Sequence, residues 1–469
     1  MYAVIAFDTE DVYYPPERRI DDVPGWLAST LTEHGLRGTF FVTAEKARSM
    51  RERGRTGVLS EMGMHDIASH TRGNVRPLLP QVLEHCGWHD GVDAMRTFED
   101  GVATEIRSAF GKDPIGISRH NVYWAAQHVA VGGERGLPHM YSPARHRNHV
   151  GPTWYAGAIT FSQPQFAGLD RIYAEDEPFE ERMAQLATFL DELERDGAEY
   201  ATMFACHPVQ VMAHGWLEHY CLASGDFRTP EEVGWLYPTR SAEEEARAKA
   251  NFAKYARYLK ERPGLRVVGL EEAGKLFSYR PAAITRDELA AYASQVVEAG
   301  KPLTHETHSP AELLCGLAES LAAHGERDEL PGEVTRRDVL GPVERPVVGR
   351  EMRALPPREV VPLATGLMAY ADAKGHLPAH LSVPDGRLGT GQLLHAFARR
   401  YKVILDGEAE AELPVEETAR YPEEARQIDG WVRSVIGEHW GMPLDFTVEN
   451  IAEHARLQTW TLKPARLAP

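Results

Sequence analysis

Asp8, Glu10, His70, Arg119 and His207 stand at or just past the ends of four short apolar runs, and together they form a set suited to metal-assisted hydrolysis. Tyr2–Phe7 leads to Asp8, Ile67–Ser69 to His70, Ile115–Ser118 to Arg119, and Ala201–Cys206 to His207. Asp8 and Glu10 are two apart, so in extended backbone both carboxylates point the same way. One can bind a cation while the other takes a proton from water. A surface acidic turn with a helix cap would also account for the tetrad Asp8-Thr9-Glu10-Asp11. His70, with Asn74 four residues on, offers an imidazole and an oxygen ligand to a divalent transition ion, leaving a position for water. His70 and Asn74, with one of the two carboxylates, are therefore the expected metal ligands. His65 points to the opposite face and is expected to be structural.

Arg119 beside Asp8 would hold that carboxylate ionised and oriented, whereas a rim salt bridge would contribute little. His120 points away from Arg119 if the strand continues and inward if the chain bends; it is expected to meet substrate. At His207-Pro208 the proline stops the strand where the imidazole is presented, and an imidazole there suits protonation of a departing amine. A core histidine bonded to a backbone carbonyl is the rival account. Trp154, Trp216 and Trp235 lie in loop-like segments and could stack on a sugar face, or simply pack. Trp154 is the one kept as a substrate-binding candidate.

These side chains must be brought together by elements far apart in sequence. From Met1 to about Ser278, apolar runs alternate with helical stretches such as Trp26–His34 and Ala242–Lys260, which predicts parallel β/α architecture. Gly38–Val42 and Leu265–Leu270 are further strands. With weaker runs near Met140–Ser142 and Ala158–Phe161, seven or eight strands result, enough for a closed or nearly closed barrel whose carboxyl ends converge on one mouth.

After about Tyr279 the pattern becomes helical, over Asp287–Ala299, Ala311–His324, Glu359–Lys374 and Gly391–Arg400, with an irregular stretch at Leu330–Pro357. A (β/α) barrel over 1–278 and a mainly helical domain over 279–469 are thus expected. A faint echo relates Glu298–Leu303 and Ala311–Leu314 to Ala373–Pro378 and Gly391–Leu394, as two similar helical hairpins or chance would produce.

Composition narrows the function. A net charge of -18 over 469 residues disfavours nucleic acid as a partner. No long uncharged apolar run suggests a membrane span, and no secretory signal is visible, so a cytoplasmic location is expected. Cys86, Cys206, Cys221 and Cys315 are scattered and expected to be free thiols. Oligomeric state is left open, a homo-oligomer included.

The ordered set of motifs resembles the polysaccharide deacetylase family of the NodB-homology type, carbohydrate esterase family 4. Asp8–Asp11 is similar to the family's acidic first motif, Gly38–Val42 to its second strand, Gly63–Thr71 to its metal-histidine motif, Arg119 to the arginine of the third motif and His207-Pro208 to the late histidine. The resemblance covers roughly 1–278 and implies a distorted (β/α) barrel of seven or eight strands holding zinc or a related ion. It further implies Asp8 as general base, Glu10 and His70 as ligands, Arg119 as the group orienting Asp8, and His207 as general acid. Asn74 stands where the family has a second histidine, a role His120 can take instead, and Asn121 replaces the usual proline, so a non-standard pocket is expected.

The activity implied is hydrolysis of a non-peptide C–N bond, foremost N-deacetylation of an N-acetylated sugar or related small amide. Ring opening of a cyclic amide or ureide is the enzymatic alternative, and a non-catalytic carbohydrate-binding barrel the third. In the C-terminal half, Leu363–Ala371, Gly375–Val383 and Leu393–Phe397 resemble pseudomurein-binding repeats, which implies carbohydrate docking.

Overall fold

The computed structural model describes residues 1–468 apart from 74, 169–178, 206, 216–236, 350–353, 385, 409–411 and 439–444. Strand β1 (Tyr2–Thr9) is the axis of the main sheet, and its residues Ala3 through Phe7 are fully buried. Its two faces serve different cores. Ala3, Ile5 and Phe7 join the layer beneath the outer helices, whereas Val4 and Ala6 join an interior cluster with Phe41, Ala68, Met140, Phe161 and Tyr200. Alternation then puts the next even residue, Asp8, on the interior face at the carboxyl end.

On one side β1 pairs in parallel with β2 (Gly38–Val42), from Ile5 opposite Gly38 to Thr9 opposite Val42. Beyond β2 come β3 (Asp66–Ser69), β4 (Ile117–Ser118) and β5 (His139–Met140), all parallel. The antiparallel pair β6 (Thr153–Tyr155) and β7 (Ala158–Phe161) follows, joined to β5 through β7. On the other side of β1 lie β9 (Tyr200–Ala205) and then β8 (Gln165–Ala167). Strand β10 (Arg266–Val268) pairs only with the first residues of β1. The sheet curls into a distorted (β/α) barrel without a closing ladder between its edges among the described residues.

Helices α1 (Val23–Glu33), α2 (Ala44–Glu52), α3 (Thr56–Gly63), α4 (Leu79–Leu83), α5 (Trp88–Phe110), α6 (Ala126–Glu134), α7 (Phe179–Arg195), α8 (Ala242–Glu261) and α9 (Leu270–Leu276) alternate with the strands. Local chemistry sets their starts. The Thr43 hydroxyl accepts from Lys46 N at 3.1 Å to cap α2, and Ser241 with Glu244 forms a capping box on α8.

The helical part repeats one plan. Strand β11 (Ala283–Thr285), helices α10 (Arg286–Ala299) and α11 (Pro310–Arg327) and strand β12 (Glu333–Thr335) form the first unit, with β11 antiparallel to β12. In the second, β13 (Ala354–Leu355) precedes α12 (Pro357–Lys374), the hairpin β14 (His380–Val383) and β15 (Gly386–Gly389), and α13 (Thr390–Leu405); β16 (Leu413–Pro414) then returns antiparallel to β13. Helix α10 packs on α13 and α11 on α12, so each unit clasps the other. Both first helices end on a left-handed glycine, Gly300 at φ 62° and Gly375 at φ 71°. The faint sequence echo is therefore a structural repeat of strand, two helices and strand. The expected irregular stretch Leu330–Pro357 contains β12 and β13.

The last part of the chain returns to the barrel. Helix α14 (Ala425–Trp431), a π-helical turn Val432–Ile436, helix α15 (Glu449–Leu457) and strand β17 (Lys463–Pro464) follow in order. Ile428, Val432, Ile436, Ile451 and Leu462 belong to the same core as Phe7 and Phe40, and β17 extends the sheet on β6. Cys86 and Cys315 are free thiols, whereas Cys206 and Cys221 fall outside the described residues.

Candidate active site

The carboxyl ends of β1, β3, β4, β5 and β9 meet at one point. Asp8, Glu10, His70, His120 and His207 are all buried there, none more than 7% exposed. Glu10 is the hub. Its Oε2 lies 3.0 Å from His70 Nε2 and 3.1 Å from His120 Nε2, while Oε1 lies 3.1 Å from His207 Nδ1. Asp8 Oδ2 is 3.6 Å from His70 Nε2, and the Tyr141 hydroxyl donates to Asp8 Oδ1 at 3.3 Å.

The backbone turns sharply as it leaves three of these strands. Thr71, Asn121 and Tyr141 have φ of 61°, 56° and 64°, left-handed values directly after His70, His120 and Met140. Such conformations cost a non-glycine residue about 1–3 kcal/mol and gather at functional sites. Strand β4 ends at Ser118, two residues before His120, so the strand alternation does not govern where His120 points. The His120 ring meets His70 edge to face at 5.1 Å.

The protonation states follow from burial and neighbours. Burial opposes ionisation of Glu10, but His120 and His207 outweigh it and hold the carboxyl well below the usual range. Burial pulls His70 down to about 4, so its imidazole is neutral at physiological pH. Asp8 is pushed well above the ordinary aspartate value, first by burial and then by the adjacent Glu10 charge. Asp11, also desolvated, rises to about 7.

Glu10, His70 and His120 present ligand atoms within 4.8 Å of one another. This set fits a divalent transition ion on three grounds. The donors are a carboxylate and two imidazoles; Glu10 is ionised and His70 neutral, as coordination requires. The Ser118 hydroxyl, its proton directed at the Ser69 carbonyl at 3.2 Å, receives His70 Nδ1 at 2.6 Å. That leaves the His70 Nε2 lone pair facing the Glu10 and Asp8 oxygens, an arrangement that a cation reconciles.

The residues anticipated from sequence fare differently. Asp8, Glu10, His70 and His207 converge. His120, expected at the substrate, instead joins Glu10 and His70, while Asn74 lies outside the described residues, as do Trp216 and Trp235. Arg119, expected to orient Asp8, donates its Nε to the Tyr141 carbonyl at 3.1 Å and an Nη to the Asn121 carbonyl; its charge reaches Asp8 as a field. Trp154 is not brought to this cluster. It sits with Arg280 at 4.3 Å over its ring, lining a cavity of about 410 Å³ with Pro114 and Pro138, which precede β4 and β5 at the opposite, amino end of the barrel.

His65 is structural. Its Nδ1 accepts from Gly38 N at 3.1 Å, so its Nε2 donates to the Ala28 carbonyl at 2.8 Å.

Sequence reasoning missed Ser118, Tyr141 and Lys46. Ser118 and Tyr141 adjoin strand ends already singled out, and that adjacency was the available signal. Lys46 is a buried cation 2.7 Å from Asp21 Oδ1 that also binds the Asp11 carbonyl, pinning the loop after Glu10. Arg53 adds a second contact to Asp21 at 2.8 Å.

No family model matches the chain, and no curated protein matches it. Among solved structures it is similar to a protein assigned as a polysaccharide deacetylase from Mycobacterium smegmatis, at 13% identity over 58% of this chain and 88% of that one, with a TM-score of 0.36. It is also similar to the PuuE allantoinase, at 10% identity over 58% and 89% of the two chains, TM-score 0.37. A family 4 carbohydrate esterase from Streptomyces lividans, solved in complex with acetate, shares 15% identity over 57% and 91%, TM-score 0.29.

Proposed function

We propose that the protein is a metal-dependent hydrolase of a non-peptide C–N bond that removes the acetyl group from an N-acetylated sugar or a related small amide. One observation carries this reading: Glu10, His70 and His120 converge in a buried cluster that also holds a second carboxylate, Asp8, and a further imidazole, His207. A divalent ion held by Glu10, His70 and His120, zinc foremost, would supply Lewis acidity toward an amide carbonyl and acidify water.

Asp8 takes the proton of the attacking water. Burial and the Glu10 charge raise its proton affinity above that of an ordinary aspartate, and the Tyr141 hydroxyl holds its other oxygen. His207, anchored through Nδ1 on Glu10, supplies the proton to the departing nitrogen. Arg119 keeps a permanent positive charge beside this chemistry. For the helical half, the resemblance to pseudomurein-binding repeats extends the proposal to docking of a glycan outside the barrel.

Elemental analysis of the purified protein, followed by acetate release from chitooligosaccharides, tests the reading. Stoichiometric transition metal together with acetate release is expected. Metal with ring opening of hydantoin-like compounds but no acetate would transfer the activity to cyclic ureides. A metal-free protein that retains oligosaccharide would replace the enzyme with a binding protein.

A further inference from the structure

The structure assigns Trp431, from the returning C-terminal segment, to the wall of the candidate active site as the residue that positions Arg119. The Arg119 guanidinium carbon lies 5.6 Å from the centre of the Trp431 ring and 5.8 Å from that of Tyr141, so two aromatic rings flank the cation. Tyr141 is also the residue whose hydroxyl reaches Asp8 and whose carbonyl accepts Arg119 Nε. A single chain of contacts thus runs from Trp431 through Arg119 and Tyr141 to Asp8.

Trp431 is itself held. Its ring meets Trp124, fully buried just after β4, edge to face at 6.1 Å. It ends α14 where the helix passes into the π-helical turn Val432–Ile436, a local irregularity that often re-aims side chains at functional sites. The surrounding segment is fastened to α4 and its flanks, after β3, and to the segment that follows β4. Asp445 binds Arg76 at 2.5 Å and Gln81 at 2.8 Å, Asn450 donates to the Leu83 and Cys86 carbonyls at 2.7 and 2.8 Å, and Phe446 meets Tyr123 at 6.3 Å.

A long arginine side chain has many rotamers, and only a fixed guanidinium imposes a constant field on Asp8. The aromatic face of Trp431 adds, by cation–π attraction and bulk, to the hold that the Tyr141 and Asn121 carbonyls have on the guanidinium. The role is one of positioning.

The kinetic arm of the test rests on the proposed hydrolase activity; the structural arm does not. In the full-length, metal-loaded protein, Trp431→Ala is expected to lower kcat for acetate release about tenfold with KM nearly unchanged, and Trp431→Phe to recover most of it. In crystals of Trp431→Ala, the Arg119 guanidinium is expected to leave its place beside Tyr141. An unmoved guanidinium overturns the assignment whether or not the protein releases acetate. So does a Trp431→Ala enzyme with the parent kcat, or equal losses of kcat and melting temperature in the Ala and Phe variants. A parent protein that releases no acetate while Arg119 moves in Trp431→Ala would instead remove the deacetylase reading and leave the positioning role standing.

Discussion

His70 Nδ1 and the Ser118 hydroxyl lie 2.6 Å apart, and this bond fixes which nitrogen of the imidazole is turned toward Glu10. A hydroxyl supplied by one strand end thereby sets the tautomer of a histidine supplied by another. Partners of this kind raise ligand basicity and hold ring orientation. Ser118→Ala is expected to weaken zinc binding by about 10- to 100-fold with little change in fold. Isothermal titration of the apoprotein with zinc measures it; parent affinity in the variant would reduce Ser118 to a packing residue.

His120 distinguishes a ligand from a substrate contact. As a ligand, its replacement in His120→Ala should lower bound metal and activity together. As a substrate contact alone, it should raise KM and leave the metal in place. Metal content by mass spectrometry, set beside the steady-state constants, separates the two, and the first outcome is expected from its 3.1 Å approach to Glu10.

Lys463 tests how the terminal segment is secured. Its ammonium reaches both oxygens of Glu312 at 2.6 and 2.7 Å, with both residues buried, and Arg336 joins Glu312 at 3.1 Å. Removing Lys463 leaves the buried Glu312 carboxylate with Arg336 as its remaining cation, so the loss falls toward the low end for a broken buried pair. Lys463→Met should therefore cost about 3 kcal/mol in urea denaturation, and Lys463→Met with Glu312→Gln should recover part of it. A loss below about 1 kcal/mol, the range of an exposed pair, would show that the site is hydrated.

Acid should loosen the seam between barrel and helical half. Burial lowers His146, His149, His305 and His308 below the ordinary imidazole value, the last fully buried beside Glu288. Above about pH 6.5 these groups are neutral in both folded and unfolded chains and stability is unaffected. As pH falls below that value the unfolded chain binds protons that the folded one resists, so stability declines. Melting temperatures from pH 8 to 5 should fall on the acid side, and less steeply in His308→Gln. Parallel curves would exclude His308 from the effect.

Much of this was legible in the chain. The strand ends at Asp8, His70 and His207 could be found because a buried parallel strand is a compact apolar run, and the polar residue that stops it stands out. His120 could not be placed, because its orientation depends on where β4 stops, and a strand of two residues has no periodicity that marks its end. Ser118 and Tyr141 act through hydroxyls whose partners lie on other strands, so neither carries a local spacing signal. The same holds for the return of residues 425–464. Its helices look like any other amphipathic helix, and β17 is two residues long, too short for periodicity to reveal. Trp154 was misplaced for the converse reason. It lies in strand β6 rather than a loop, and an aromatic side chain shows that it can stack, but not at which end of a barrel.

The lateral attachment of β17 to β6 has a consequence for how the protein can be made. The backbone of Ala156 is satisfied by Thr461, 305 residues away, and the Tyr155 hydroxyl by the carbonyl of Ala455. A fragment stopping near 278 would expose this strand and lose the cover over Trp124, presenting a sticky margin to its copies. During synthesis the same margin stays open until the helical half has emerged, which makes the nascent barrel a natural client for chaperones.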